Sequence, residues 1–365
     1  MRKSKKILSV ALSFMFVMSV TVPPAFAENS SSISPDLIKA QQIIEKVKGS
    51  NYTTSDISAN DIQLMLSKGG KEGQQTLDQL LSHAKPIDKG VSQNDEYLAE
   101  SKVISKHSKK KYSYLHTVGT STETYVDDSQ FSDKPSFSDS LANKSNNAML
   151  TSYPTNWYEQ SPQSYENTRS TCKLLVLAGN GNHVGSGFLL YGSHVGTAGH
   201  CLYDPKDLGG WAKSVIVIPS YTNGSYPYGS AASTSLETGG NWHDNNDTSD
   251  DWGIVHLNTA FTIGHLSLMA PGDNIQGWTV RDQGYPADSS YLYLQNCNVD
   301  AVNSSRIIST SQQSIGGMSG GPCLESQNRI IGIIHGYWIS GPNTGDSVVV
   351  KLDNWICNKM NSYRD

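Results

Sequence analysis

The chain has 365 residues and an uneven composition: all 7 Trp and all 5 Cys fall after position 156, as do 26 of the 32 Gly. Length alone allows about two domains of roughly 100–200 residues, but the skew gives only the second half the composition of an ordinary globule. Charged residues at 17%, with 32 Gly and 14 Pro, exclude collagen, a coiled coil and a highly charged disordered chain.

The first six residues hold Arg2, Lys3, Lys5 and Lys6, an apolar run follows from Ile7 to Val22, and Pro23-Pro24-Ala25-Phe26-Ala27 offers a small-x-small cleavage site. Residues 1–27 are therefore expected to be a secretory signal peptide. Without those four cations the chain carries 24 basic and 33 acidic residues, a net of −9. An acidic exported chain argues against nucleic acid or an anionic membrane as partner. No later run reaches the ~18 apolar residues of a membrane span, so a soluble, extracellular protein is expected, acting as a monomer.

Helical periodicity comes next. Residues 36–48 put Leu37, Ile43, Ile44 and Val47 on one face; 56–67 could be capped by Ser55-Asp56; and 72–84 carries Leu77, Leu80 and Leu81. From about 101 to 170 the chain is polar and irregular, with the basic run Lys109-Lys110-Lys111 and a Ser/Asn/Asp-rich tract from Ser129 to Asn147, as in a linker or processing region. From Lys173 short apolar runs alternate with Gly, Asn and Pro: 173–178, 186–192, 214–219, 252–257, 278–286, 291–295, 328–336 and 347–352. Many short strands with turn signals between them predict an all-β barrel or sandwich. A helix is expected from about Asp353, docking Trp355, Ile356 and Met360.

Three segments carry chemistry. Val195-Gly-Thr-Ala-Gly-His-Cys201 turns on small residues to present His200; Asp250-Asp251-Trp252-Gly253 puts a carboxylate at the mouth of a buried strand; Gly316-Gly-Met-Ser-Gly-Gly-Pro322 wraps flexible backbone around Ser319. A serine hydroxyl needs an imidazole to take its proton, and the imidazole needs a carboxylate to hold its tautomer and stabilise its cation. The amides of Gly317 and Ser319 could converge on the oxyanion, each such donor being worth about 10²–10³ in rate. Asp250 rivals Asp251 for the carboxylate.

At these residues the chain resembles the trypsin/chymotrypsin-like serine proteases, and more closely the secreted glutamyl endopeptidases of Gram-positive bacteria, in which the histidine motif continues as in Leu202-Tyr203-Asp204 and a later segment is similar to Asn223–Ser230. From about Lys173 onward the resemblance implies two six-stranded antiparallel β-barrels with the site in the cleft between them, and His200, Asp251 and Ser319 as the triad. Gln313 stands where trypsin-like enzymes carry an Asp that binds basic side chains. Ser314 and His335 match the hydroxyl and imidazole that bind a substrate carboxylate, which implies cleavage after Glu, with Asp second. Many members pair the cysteine after the histidine with one about sixteen residues earlier; here that place is Gly185, so Cys201 is free or pairs elsewhere. Cys323 could bond Cys297.

The expected product is a zymogen: signal peptide 1–27, pro-segment and linker 28–150, and a serine endopeptidase over 151–365. Its partners are protein or peptide substrates and an activating protease that cuts between roughly 145 and 170. No cofactor or metal is required, although His243-Asp244-Asn245-Asn246-Asp247 with Asp250 could hold a structural Ca²⁺. Two alternatives stay open: a serine protease of apolar preference, and a non-catalytic binding module on the same fold.

Overall fold

The computed structural model describes residues 34–49, 57–92, 111–133, 156–159, 166–302 and 307–363. The expected signal peptide, the Ser55-Asp56 cap and most of the expected processing region lie outside them. Three helices come first: α1 (Pro35–Lys48), α2 (Ala59–Lys68) and α3 (Gly70–His83). Ser58 caps α2, its Oγ accepting the Asp61 N–H while the Asp61 carboxylate accepts the Ser58 N–H.

Short strands β1 (Lys85–Pro86) and β2 (Gly90–Ser92) follow, then a hairpin of β3 (Tyr112–Thr117) and β4 (Glu123–Asp127), then β5 (Asn156–Glu159). The first barrel consists of β6 (Thr171–Ala178), β7 (Gly181–Tyr191), β8 (His194–Thr197), β11 (Ser214–Pro219), β12 (Ala231–Gly239) and β13 (Gly253–Leu257); a ribbon of β9 (Tyr203–Asp204) and β10 (Gly210–Trp211) interrupts it in sequence. The order β11-β6-β7-β8-β13-β12 closes through β11·β12. The second barrel consists of β14 (Thr279–Gly284), β15 (Leu292–Val302), β16 (Ile307–Thr310), β17 (Pro322–Leu324), β18 (Ile330–Ser340) and β19 (Ser347–Lys351), ordered β14-β17-β18-β19-β16-β15 and closed through β14·β15. All pairings within the barrels are antiparallel, as expected.

The unbroken apolar run in β6 has a specific cause. Leu174 and Val176 point into the barrel core, while the alternate residues Leu175 and Leu177 pack outward with Ile216 and Ile218 of β11 beneath Ile62, Met65, Leu77 and Leu80 of the helices. The strand is buried on both faces because α1–α3 cover the outside of the barrel. The hairpin β3–β4 extends the same sheet from β12, so part of the tract expected to be irregular is ordered. Its open end is anchored by buried charge: Lys359 reaches both Asp128 and Glu237 at 2.7 Å, and Ser113 Oγ lies 2.6 Å from both carboxylates. The C-terminal helix runs Asn354–Asn361, with Asp353 accepting the Ile356 N–H and Trp355 edge-on to Trp252.

All five cysteines are buried free thiols. The expected Cys297–Cys323 bond is therefore not formed: Cys297 Sγ donates to the Gln295 carbonyl at 3.6 Å, and both thiols lie within the field of the buried Asp282 carboxylate of β14.

Candidate active site

The β8·β13 ladder brings the first two segments together. Thr197 lies opposite Gly253, so the turn that follows β8 meets the residues that precede β13. His200 sits in the 3₁₀ turn Gly199–Cys201. Gly199 is required by close approach, since a Cβ there would run into Thr238 Oγ1 and lie 3.0 Å from Asp251 Oδ1. Asp251 grips His200 at two points: Oδ1 accepts its backbone N–H at 2.7 Å and Oδ2 accepts from Nδ1 at 2.6 Å. Asp250 faces the other way, its carboxylate accepting from Trp252 Nε1 and Asn241 N–H, both at 2.9 Å. The choice between the two aspartates is thereby decided in favour of Asp251 as the neighbour of His200. Asp247 and Asp250, part of the loop considered for Ca²⁺, spend carboxylate oxygens on local N–H groups.

Ser319 follows Gly317, whose φ of +100° only glycine adopts readily and whose added Cβ would fall 2.6 Å from Tyr285 O. The Ser319 carbonyl accepts the Ser186 N–H at 2.8 Å, which ties this loop of the second barrel to β7 of the first. The hydroxyl does not reach His200. Ser319 Oγ donates to the His335 carbonyl at 3.0 Å, and His200 Nε2, buried, has no hydrogen-bond partner among the described residues. The Gly317 N–H donates to the carbonyl of Ile87, 2.8 Å away.

Ser314 is buried and its Oγ donates to the Gly336 carbonyl at 2.7 Å, next to His335. Gln313 is exposed, with its carbonyl accepting from Gln295 Nε2. The surprise is His335, whose Nδ1 also contacts Asp251 Oδ2, so two imidazoles share one carboxylate. Trp242 stands edge-on to both rings at 5.9 Å. Nothing in the spacing of the sequence foretells that His335 and His200 meet on one aspartate, because the contact runs between barrels.

Electrostatics separates the two histidines. Burial disfavours the His200 cation, but the Asp251 charge and hydrogen bond outweigh it and raise its pKa to about 10. Burial also dominates at His335, which stays below the ordinary histidine range despite the same carboxylate. Burial would raise the Asp251 carboxyl, yet the two imidazoles hold it well below the usual range.

A family model described as Trypsin matches residues 161–356, more than half of the chain. The chain is 30% identical over 146 residues to the glutamyl endopeptidase of Bacillus licheniformis, and 29% identical over 144 residues to a Bacillus subtilis protein named extracellular metalloprotease. Each alignment covers 39% of this chain, and 46% and 42% of those relatives, so the chain spans less than half the length of the curated proteins it matches. A solved Glu endopeptidase in complex with MPD shares the fold at TM-score 0.51 and 17% identity, covering 58% of this chain and 96% of that one. With two closed six-stranded barrels and a matching family model, the chain belongs to the trypsin family of serine proteases.

Proposed function

We propose that the protein is a secreted serine endopeptidase, made as an inactive precursor with pro-segment 28–150, that cleaves after Glu and next after Asp. The observation that carries this is the two-point grip of Asp251 on His200 across the cleft from Ser319. In the active form Ser319 Oγ attacks the peptide carbonyl and gives its proton to His200 Nε2, Gly317 and Ser319 N–H groups hold the oxyanion, and His200 passes the proton to the leaving amine. Water then hydrolyses the acyl-enzyme by the same steps in reverse. Ser314 and His335 form the carboxylate end of the substrate pocket; with Nδ1 committed to Asp251, His335 keeps Nε2 for the substrate.

Matched Glu, Asp, Lys and Phe peptides incubated with the processed enzyme test the specificity, and faster Lys or Phe turnover overturns it. Ser319→Ala should lower kcat about 10⁶-fold; equal inertness of both forms would favour a binding module. A second chemistry also meets a specific observation, since ligand atoms of His200, Asp251 and His335 lie within 4.8 Å of one another, as a metal site requires. Inhibition by a chelator but not by a fluorophosphonate would favour that chemistry.

A further inference from the structure

Residues 85–92 cross the cleft between the barrels, and both walls hold them. On the first barrel β1 pairs with β7, Lys85 opposite His183 and Pro86 opposite Val184, and the Ile87 N–H donates to the Val184 carbonyl at 2.9 Å. On the second, β2 pairs with β18, Gly90 opposite Tyr337 and Val91 opposite Trp338, and the Tyr337 N–H donates to the Lys89 carbonyl at 2.9 Å. Between these anchors the Ile87 carbonyl occupies the Gly317 N–H, and its buried side chain joins the core. The Lys89 ammonium pairs with Asp204 and Asp207, just past the turn that holds His200. Under this cover the His200 side chain exposes nothing to solvent.

Both pairings are parallel. Direction matters because His200, on the first barrel, must protonate the leaving amine, so the amine side of a cut peptide lies along the first barrel and the acyl side along β18. In the segment the polarity is opposite. The residues before the Ile87 carbonyl lie on β7, and the residues after it run to β18, so the acyl and amine sides are exchanged relative to a peptide that is cut.

We infer that residues 85–92 are an inhibitory peptide ligand of the cleft, bound backwards so that the carbonyl in the oxyanion site belongs to a bond the enzyme does not cut. This rests on the roles proposed above for His200 and Ser319. Strand addition supplies the affinity. Selectivity comes from a branched aliphatic residue at 87, a cation at 89 facing two carboxylates, and Gly90, where a Cβ would fall 2.5 Å from Ile339.

The test uses the full chain, with the rate at which a fluorophosphonate labels Ser319 as readout. Lys89→Glu sets like charges against Asp204 and Asp207, and labelling should accelerate at least about tenfold. A synthetic peptide of residues 84–93 added to that variant should slow labelling again and be recovered uncut. A measurable labelling rate that Lys89→Glu leaves unchanged, or cleavage of the peptide at Ile87–Asp88, overturns the inference. Hydrogen exchange on the Ser319→Ala chain needs no turnover: the Tyr337 amide should be protected, and Lys89→Glu should release it. If exchange behaves so while the chains that keep Ser319, with and without Lys89→Glu, are not labelled and do not cut casein after processing, the catalytic roles fail and the cleft ligand stands; equal exchange with and without Lys89→Glu overturns the ligand.

Discussion

Ser319 and His200 share no hydrogen bond: the Ser319 hydroxyl is spent on the His335 carbonyl at 3.0 Å, and His200 Nε2 has no hydrogen-bond partner among the described residues. With His200 also holding its proton up to about pH 10, the imidazole is in no state to accept another. The proposed nucleophile is thus unactivated. Full-length protein should react with a fluorophosphonate at least about a hundredfold more slowly than the processed enzyme. Equal rates, read by intact-mass spectrometry, would contradict this.

Asp251→Asn should lower kcat of the processed enzyme about 10⁴-fold, since the amide cannot hold the imidazole in the same tautomer. It should also change how stability varies with pH. His200 loses its proton near pH 6.5 when unfolded and near 10 when folded, so its contribution is complete below 6.5 and vanishes as pH rises to about 10. The depressed Asp251 carboxyl contributes above the ordinary carboxylate range and loses its effect as pH falls below it. Urea midpoints of the full chain should therefore fall between pH 6.5 and 10, with a flatter profile in the variant.

His335 starts neutral, because burial keeps its pKa under 6.5. Pairing with a substrate carboxylate through Nε2 requires that it take up a proton. The ratio of kcat/KM for Glu over Phe peptides should then decrease as pH rises from about 6 to 9. A flat ratio would place the carboxylate elsewhere than on His335.

Lys359 is the shared partner of Asp128 and Glu237, all three buried. Burial raises the Asp128 carboxyl in spite of Lys359, whereas Glu237 is pulled down to about 2 despite its own burial. Lys359→Met leaves two carboxylates without their cation and should cost about 3–5 kcal/mol by urea denaturation at pH 7. The loss should shrink at acid pH, where Asp128 takes a proton.

Leu77 of α3, fully buried, helps hold the helices over Leu175 and Leu177. Leu77→Ala should destabilise the helical unit by about 2–5 kcal/mol. If these helices also hold 85–92 in the cleft, the same variant should be processed into active enzyme sooner.

Where a residue pattern reports its own surroundings, the sequence is a good guide. Helical periodicity locates α1–α3 to within three residues, and the three glycine-framed segments mark His200, Asp251 and Ser319 because tight backbone needs small residues nearby. Strand β12 was not foreseen, since its Ser- and Thr-rich stretch Ala231–Gly239 lacks an apolar run, and neither was the hairpin β3–β4, whose outer strand is largely exposed and polar. The segment 85–92 is short and mostly polar, and its extended form comes from pairing with two distant strands. Pro86 and Gly90 are its only local signals. The absence of a Cys297–Cys323 bond was illegible too, because nothing in cysteine spacing reveals Asp282 between them.

The hairpin β3–β4 is paired to β12 through residues 113–117, ahead of the expected processing window. While the backbone is whole, a tethered segment acts at an effective concentration in the millimolar range. A single cut within the expected window of roughly 145–170 would convert that tether into a separate ligand, seated on the barrel but now subject to mass action. Activation would then be governed by dilution as well as by cleavage. At high concentration a nicked enzyme would stay silent, and it would switch on as it spreads into a larger volume.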